Sequence, residues 1–68
     1  MIIVTRLDRT RFAVNPDLIT RVLVSPDTTV HMVDGRVHVI REGLDELVEL
    51  IVAYRARVLA AASTLTEA

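Results

Sequence analysis

Two histidines offer the chain's nearest approach to chemistry. His31 and His38 flank Asp34-Gly35, a strong two-residue hairpin turn. A two-residue turn there would set His31 directly across from His38. Residues facing each other in a hydrogen-bonded antiparallel pair lie about 5.5 Å apart at Cα, near enough for two imidazoles to share a metal. Zinc, however, takes about four ligands. The expected face adds only Thr29, Val33, Arg36 and Ile40, with no carboxylate or thiolate. No metal site is therefore assigned, and the pair reads as a solvent-facing or interface pair. Other catalytic patterns are missing from the sequence. Ser25 and Ser63 have no neighbouring histidine, and there is no glycine-rich phosphate loop. Gly35 is explained by a turn and Gly43 by a helix start. The reading is a non-enzyme without cofactor.

The elements that must position these residues read as a small α+β domain: an antiparallel meander of about five short strands, then one C-terminal helix. Ile2–Leu7 is the first strand. Asp8-Arg9 suits a two-residue type I′ turn poorly, because arginine disfavours positive φ, so a longer loop built on a type I turn is expected. Arg11–Val14 returns, with Phe12 as a core anchor. Asn15-Pro16-Asp17 breaks the strand, and Asn15 or Asp17 can bond the turn backbone. Leu18–Ser25 carries apolar residues on both faces, as a central strand covered on two sides would. Ser25-Pro26-Asp27-Thr28 is a second turn, placing Pro26 and Asp27 in structural roles. Thr29–Val33 and Arg36–Arg41 form the hairpin around Asp34-Gly35. Its expected register places Val30, Met32, Val37 and Val39 together on the core face.

The helix from Gly43 to about Ala62 has Leu44, Leu47, Ile51, Tyr54 and Val58 at alternating steps of three and four. Gly43 serves as N-cap, with Glu46 in the capping-box position. Asp45, Glu46 and Glu49 come early and Arg55 and Arg57 late, in the order that suits the helix dipole. At about 100° per residue the apolar arc spans roughly 200°, although a surface helix needs a stripe only a little over about 100° wide. One flank is expected on the chain's own sheet and the other on a second copy or partner. The interface is assigned to Leu47, Leu50, Ile51, Tyr54 and Val58. The domain is placed at residues 1–62, with 63–68 as a frayed tail.

Composition supports that reading. Sixty-eight residues make one domain of marginal stability alone, and the chain has no cysteine to form a staple. It is 51% hydrophobic with only two aromatic residues, a balance that favours oligomerisation in small chains. The net charge of −1 lacks the basic excess of a nucleic-acid binder. No apolar run approaches the roughly 18 residues of a membrane span, and no signal-peptide layout opens the chain. A cytoplasmic homo-oligomer is the expectation.

Thr5-Arg6-Leu7, Phe12, Asn15-x-Asp17-Leu18-Ile19, Ser25-Pro26-Asp27-Thr28, Asp34-Gly35 and Val39-x-Arg41-Glu42 recur together at spacings that span residues 1 to 60. In these segments the chain resembles the FlbD/SwrD family of short flagellar and swarming-motility proteins. That family usually has Asn-Gly where this chain has Asp8-Arg9. The resemblance implies a non-enzymatic accessory role in flagellar motility, supporting the motor through its stator units by protein–protein contact, at the flagellar base. It carries over no catalytic residue. The alternative is a small oligomeric nucleic-acid-binding regulator of flagellar gene expression, with Arg6, Arg9, Arg11 and Arg36 as its candidate contacts.

Overall fold

The computed structural model describes residues 1–67, with side chains through Thr64. In chain order come β1 (Ile2–Thr5), β2 (Arg11–Val14), a 3₁₀ turn (Pro16–Leu18), β3 (Ile19–Leu23), β4 (Thr28–Met32), β5 (Val37–Ile40) and α1 (Leu44–Glu67). The class is α+β, as expected, but the five strands divide between two antiparallel sheets, β1-β2 and β3-β4-β5.

Both hairpins use one loop design. Arg9 N–H donates to Arg6 O (2.9 Å), and Arg6 N–H donates to Thr10 O (2.8 Å). Gly35 N–H donates to Met32 O (3.1 Å), and Met32 N–H donates to Arg36 O (2.9 Å). Each is a three-residue loop, a type I turn followed by one residue at positive φ. In each, the middle aspartate accepts the N–H of the residue just after the loop: Asp8 Oδ1 from Thr10 and Asp34 Oδ1 from Arg36, both at 2.9 Å. The positive-φ position is filled by Gly35 (φ 90°) in one loop and by Arg9 (φ 74°) in the other. The type I turn expected in the first loop is present, and Arg9 takes the conformation that arginine disfavours.

The second loop corrects the register. A three-residue loop pairs Val30 with His38 and His31 with Val37, one residue away from the two-residue prediction. Because side chains alternate, a slip of one residue exchanges the faces of the following strand. Val37 and Val39 are therefore exposed, and His38 turns toward the interior beside Val30.

The third strand is also corrected. It is shorter than Leu18–Ser25, lies at the edge of its sheet and not at the centre, and leaves Thr20, Arg21 and Leu23 exposed. Its mixed pattern has another origin. The register shifts between Ile19 and Arg21, a bulge that leaves one residue unpaired. Ile19 and Val22 are three apart, yet both pack on the core. Before the bulge, Asn15 Oδ1 accepts from Asp17 N–H (3.0 Å) and Pro16 is buried, which turns the chain from one sheet into the other. The Ser25–Pro26 peptide is cis.

The core collects Ile2, Val4, Val14, Val30, Ile40 and Leu47, drawn from both sheets and the helix. The sheets meet where β1 runs beside the end of β5. Arg6 bridges Ile40, and Arg41 N–H donates to Thr5 O at 2.8 Å. The Glu42 carboxylate closes this seam, accepting from Thr5 N–H through one oxygen and from the Thr5 hydroxyl through the other, both at 2.8 Å. Burial pushes the Glu42 carboxyl up, but the two Thr5 bonds, helped by its own backbone and Arg11, outweigh that and hold it below its ordinary value. The helix starts directly after. Gly43 O accepts from Leu47 N–H at 2.9 Å, and α1 packs chiefly on β1. It continues past Ala62 to Glu67, through most of the stretch assigned to a frayed tail; Ala68 of that stretch lies outside the described residues.

Candidate functional site

The two histidines do not form a pair. On β4, Thr28, Val30 and Met32 face inward while Thr29 and His31 face outward; on β5, His38 and Ile40 face inward. His31 and His38 thus stand on opposite faces of the sheet. Among the described residues no three of His, Cys, Asp and Glu gather as a metal-binding group. His38 instead packs its ring on Phe12, with centroids 5.1 Å apart and planes tilted by 53°. The Arg6 guanidinium lies over the Phe12 ring, 4.2 Å from its centroid. Such a cation–π contact at a partly exposed ring contributes about 0.5–1 kcal/mol. Phe12 is a half-buried anchor on the core, joining the first hairpin to the second sheet through this stack.

His31 is the less settled of the two. Its Nε2 is buried without a hydrogen-bond partner among the described groups. It sits between Arg21 and Val37 on the outward face of the three-stranded sheet. That face also presents Leu23, Val37 and Val39 to solvent. It is a mixed surface: these three apolar side chains flank Thr29 and His31 of the middle strand, beside exposed Arg21, with a recessed imidazole nitrogen among them.

The arginines proposed for nucleic acid are differently occupied. Arg6 covers Phe12, and Arg36 pairs with Asp34 at 3.4 Å. Arg9 holds the positive-φ corner of the first loop, and Arg11 stands opposite Thr5 on the outer side of β2. In the same loop Asp8 accepts from Thr10 backbone and side chain, which lowers its carboxyl below the ordinary value.

The helix divides its wide apolar arc. Of the five residues assigned to an interface, Leu47 is 1% exposed in the chain's own core. Leu50, Ile51 and Tyr54 pack against that core, and only Val58 is exposed. The remaining exposed apolar residues are Leu44, Val48, Val52 and Leu59. At about 100° per residue these four share one flank, turned roughly 110° from the Leu47–Tyr54 side. The sequence carried this signal as two separable clusters within one arc, and only the first was assigned. Arg55, which falls inside the arc, is drawn aside. Its guanidinium donates to Asp17 Oδ1 at 2.8 Å, tying the helix to the 3₁₀ turn. A shallow recess of about 170 Å³ lies there among Asp17, Tyr54, Arg55, Val58 and Leu59. A more open cleft of about 440 Å³ runs beside the helix start, where Leu7, Val24, Pro26 and Leu44 surround the opposite charges of Asp27 and Arg41.

These segments can be compared with known families as a set. The family described as FlbD, flagellar and swarming motility proteins, matches residues 1–59. The chain belongs to the FlbD family. The match runs from β1 through both hairpins to Leu59, so it takes in the exposed flank of α1 and stops where the overhanging turns begin. No curated protein and no solved structure matches the chain. Membership gives this FlbD-family chain a role related to flagellar and swarming motility. No helix of the described residues is long and apolar enough to cross a membrane.

Proposed function

We propose that this FlbD-family chain is a non-enzymatic accessory protein of the flagellar motor, supporting stator function through protein–protein contact at the flagellar base. The family match over residues 1–59 carries the reading. The outward face of the three-stranded sheet supports it. Leu23, Val37 and Val39 stand exposed there on a rigid hydrogen-bonded scaffold. Exposed apolar side chains gathered on one sheet face and rimmed by polar residues are the kind of surface on which partners dock. Any polar group of a partner that reaches the recessed His31 nitrogen would satisfy it, and a buried hydrogen bond left unmade is costly.

The test is a strain lacking the gene, scored for filament number and swimming speed together, then complemented with the natural chain and with the double variant Val37→Glu, Val39→Glu. Normal filaments with weak rotation, restored by the natural chain and not by the variant, are expected. Missing filaments would move the role to assembly or gene expression. No change in either quantity would overturn the motor reading.

A further inference from the structure

We propose that the exposed flank of α1 pairs antiparallel with the same flank of a second copy, about a two-fold axis near Val52. This inference goes beyond the motility role and does not depend on it.

The first support is area. A compact monomer of 7.6 kDa should expose about 4300 Å², whereas this chain exposes 4908 Å². A stable interface removes about 800 Å² from each partner. The excess is therefore most of what one dimer contact would cover. It arises from shape. The molecule measures 47 × 23 × 19 Å because α1, about 36 Å long, outruns the sheets. Arg55 ties the second half of α1 to the body at Asp17. Beyond Leu59 the helix overhangs by about 12 Å.

The second support is the composition of the flank. Leu44, Val48, Val52 and Leu59 are joined along one line by the small Ala56. Centring an antiparallel pair on Val52 sets Val48 against Ala56 of the second copy, large against small. It sets the region of Leu59 against the region of Leu44, so each overhang covers the start of the other helix. The third support is orientation. Antiparallel pairing opposes the two helix dipoles, whereas parallel pairing would align them. Arg55 falls at this flank by helical angle, and its ion pair with Asp17 draws its head from the seam.

Sedimentation equilibrium of the purified chain at tens of micromolar tests the association. A mass of twice 7.6 kDa is expected. A single-chain mass overturns the proposal. Val52→Glu and Leu59→Glu both alter exposed positions, and Leu59 lies at the edge of the body, so the fold should survive in at least one by circular dichroism. Each should weaken association roughly a hundredfold or more, because two charges would be buried unpaired across the axis. A dimer that a folded variant leaves intact overturns the assignment of this flank. Orientation is read by disulfide trapping, since the chain has no cysteine of its own. Val48→Cys mixed with Ala56→Cys should cross-link faster than Val48→Cys alone. The reverse order overturns the antiparallel arrangement.

Discussion

Removing the Glu42 carboxylate should loosen the seam between the two sheets. Its two oxygens hold Thr5 by N–H and hydroxyl, each at 2.8 Å, beside the Arg6–Ile40 bridge and the Arg41-to-Thr5 bond at the seam. A hydrogen bond to a charged group contributes about 1.5–3 kcal/mol net. Both bonds are only part-buried, so water can replace some of their value when the carboxylate goes. Glu42→Ala should then cost about 2 kcal/mol in total. For a domain of this size that lowers the melting temperature by about 8–16 °C. The assay is urea and thermal unfolding at one fixed protein concentration, since association would shift the midpoint. Thr5→Ala and the double variant complete a cycle that isolates the coupling. The pH dependence has a definite sign. The folded-state carboxyl lies below its ordinary value of 4.5, so its contribution is full above that value and is lost as pH falls through the depressed one. The gap between natural chain and variant should narrow on acidification through that window. A variant within about 0.5 kcal/mol of the natural chain at neutral pH, the range of ordinary surface changes, would refute the clamp. So would a gap that stays constant through acid.

Leu47→Ala empties the point where helix and sheets meet, and should cost about 2–5 kcal/mol by urea unfolding; a cost near zero would place Leu47 outside the core. Arg9→Gly relieves a positive φ and should stabilise by about 0.5–1 kcal/mol, whereas Gly35→Ala should destabilise at the equivalent corner of the other hairpin. Asp17→Ala removes an ion pair exposed on both sides, and its effect should stay within about 1 kcal/mol and shrink with added salt.

What could be read from the residues followed local rules. Asn15-Pro16-Asp17 had to break the strand, and the helix period survived in the fold from Leu44 onward. The two register errors share one cause, an extra residue that shifts alternation. Asp34-Gly35 signals a hairpin equally well in a two-residue or a three-residue loop, and the choice between them moved His38 inward and Val37 outward. The bulge between Ile19 and Arg21 did the same to β3, producing apolar residues on both apparent faces of an edge strand. The Arg6-Leu7-Asp8-Arg9-Thr10 and Met32-Val33-Asp34-Gly35-Arg36 segments form the same loop, with aspartate third in each. The longer loop expected at Asp8-Arg9 is the one both segments form, and the two-residue expectation at Asp34-Gly35 is the one that failed. The Glu42–Thr5 clamp joins residues far apart in the chain, and no local pattern announces such a contact.

The packing of α1 on β1 has a consequence for the order in which the fold can be completed. Ile2 and Val4 belong to the first strand made, and the residue that seals them, Leu47, belongs to the last element. During synthesis the first hairpin leaves the ribosome with its apolar side uncovered, and a two-stranded hairpin alone is marginal in water. The second hairpin can pair at once, because its partners are close in sequence. The strand β1 is sealed only when the helix arrives, and until then its apolar side is open to chaperones and to other nascent chains. Shortening α1 from its far end would leave that timing unchanged, while a chain interrupted before Leu47 would never close.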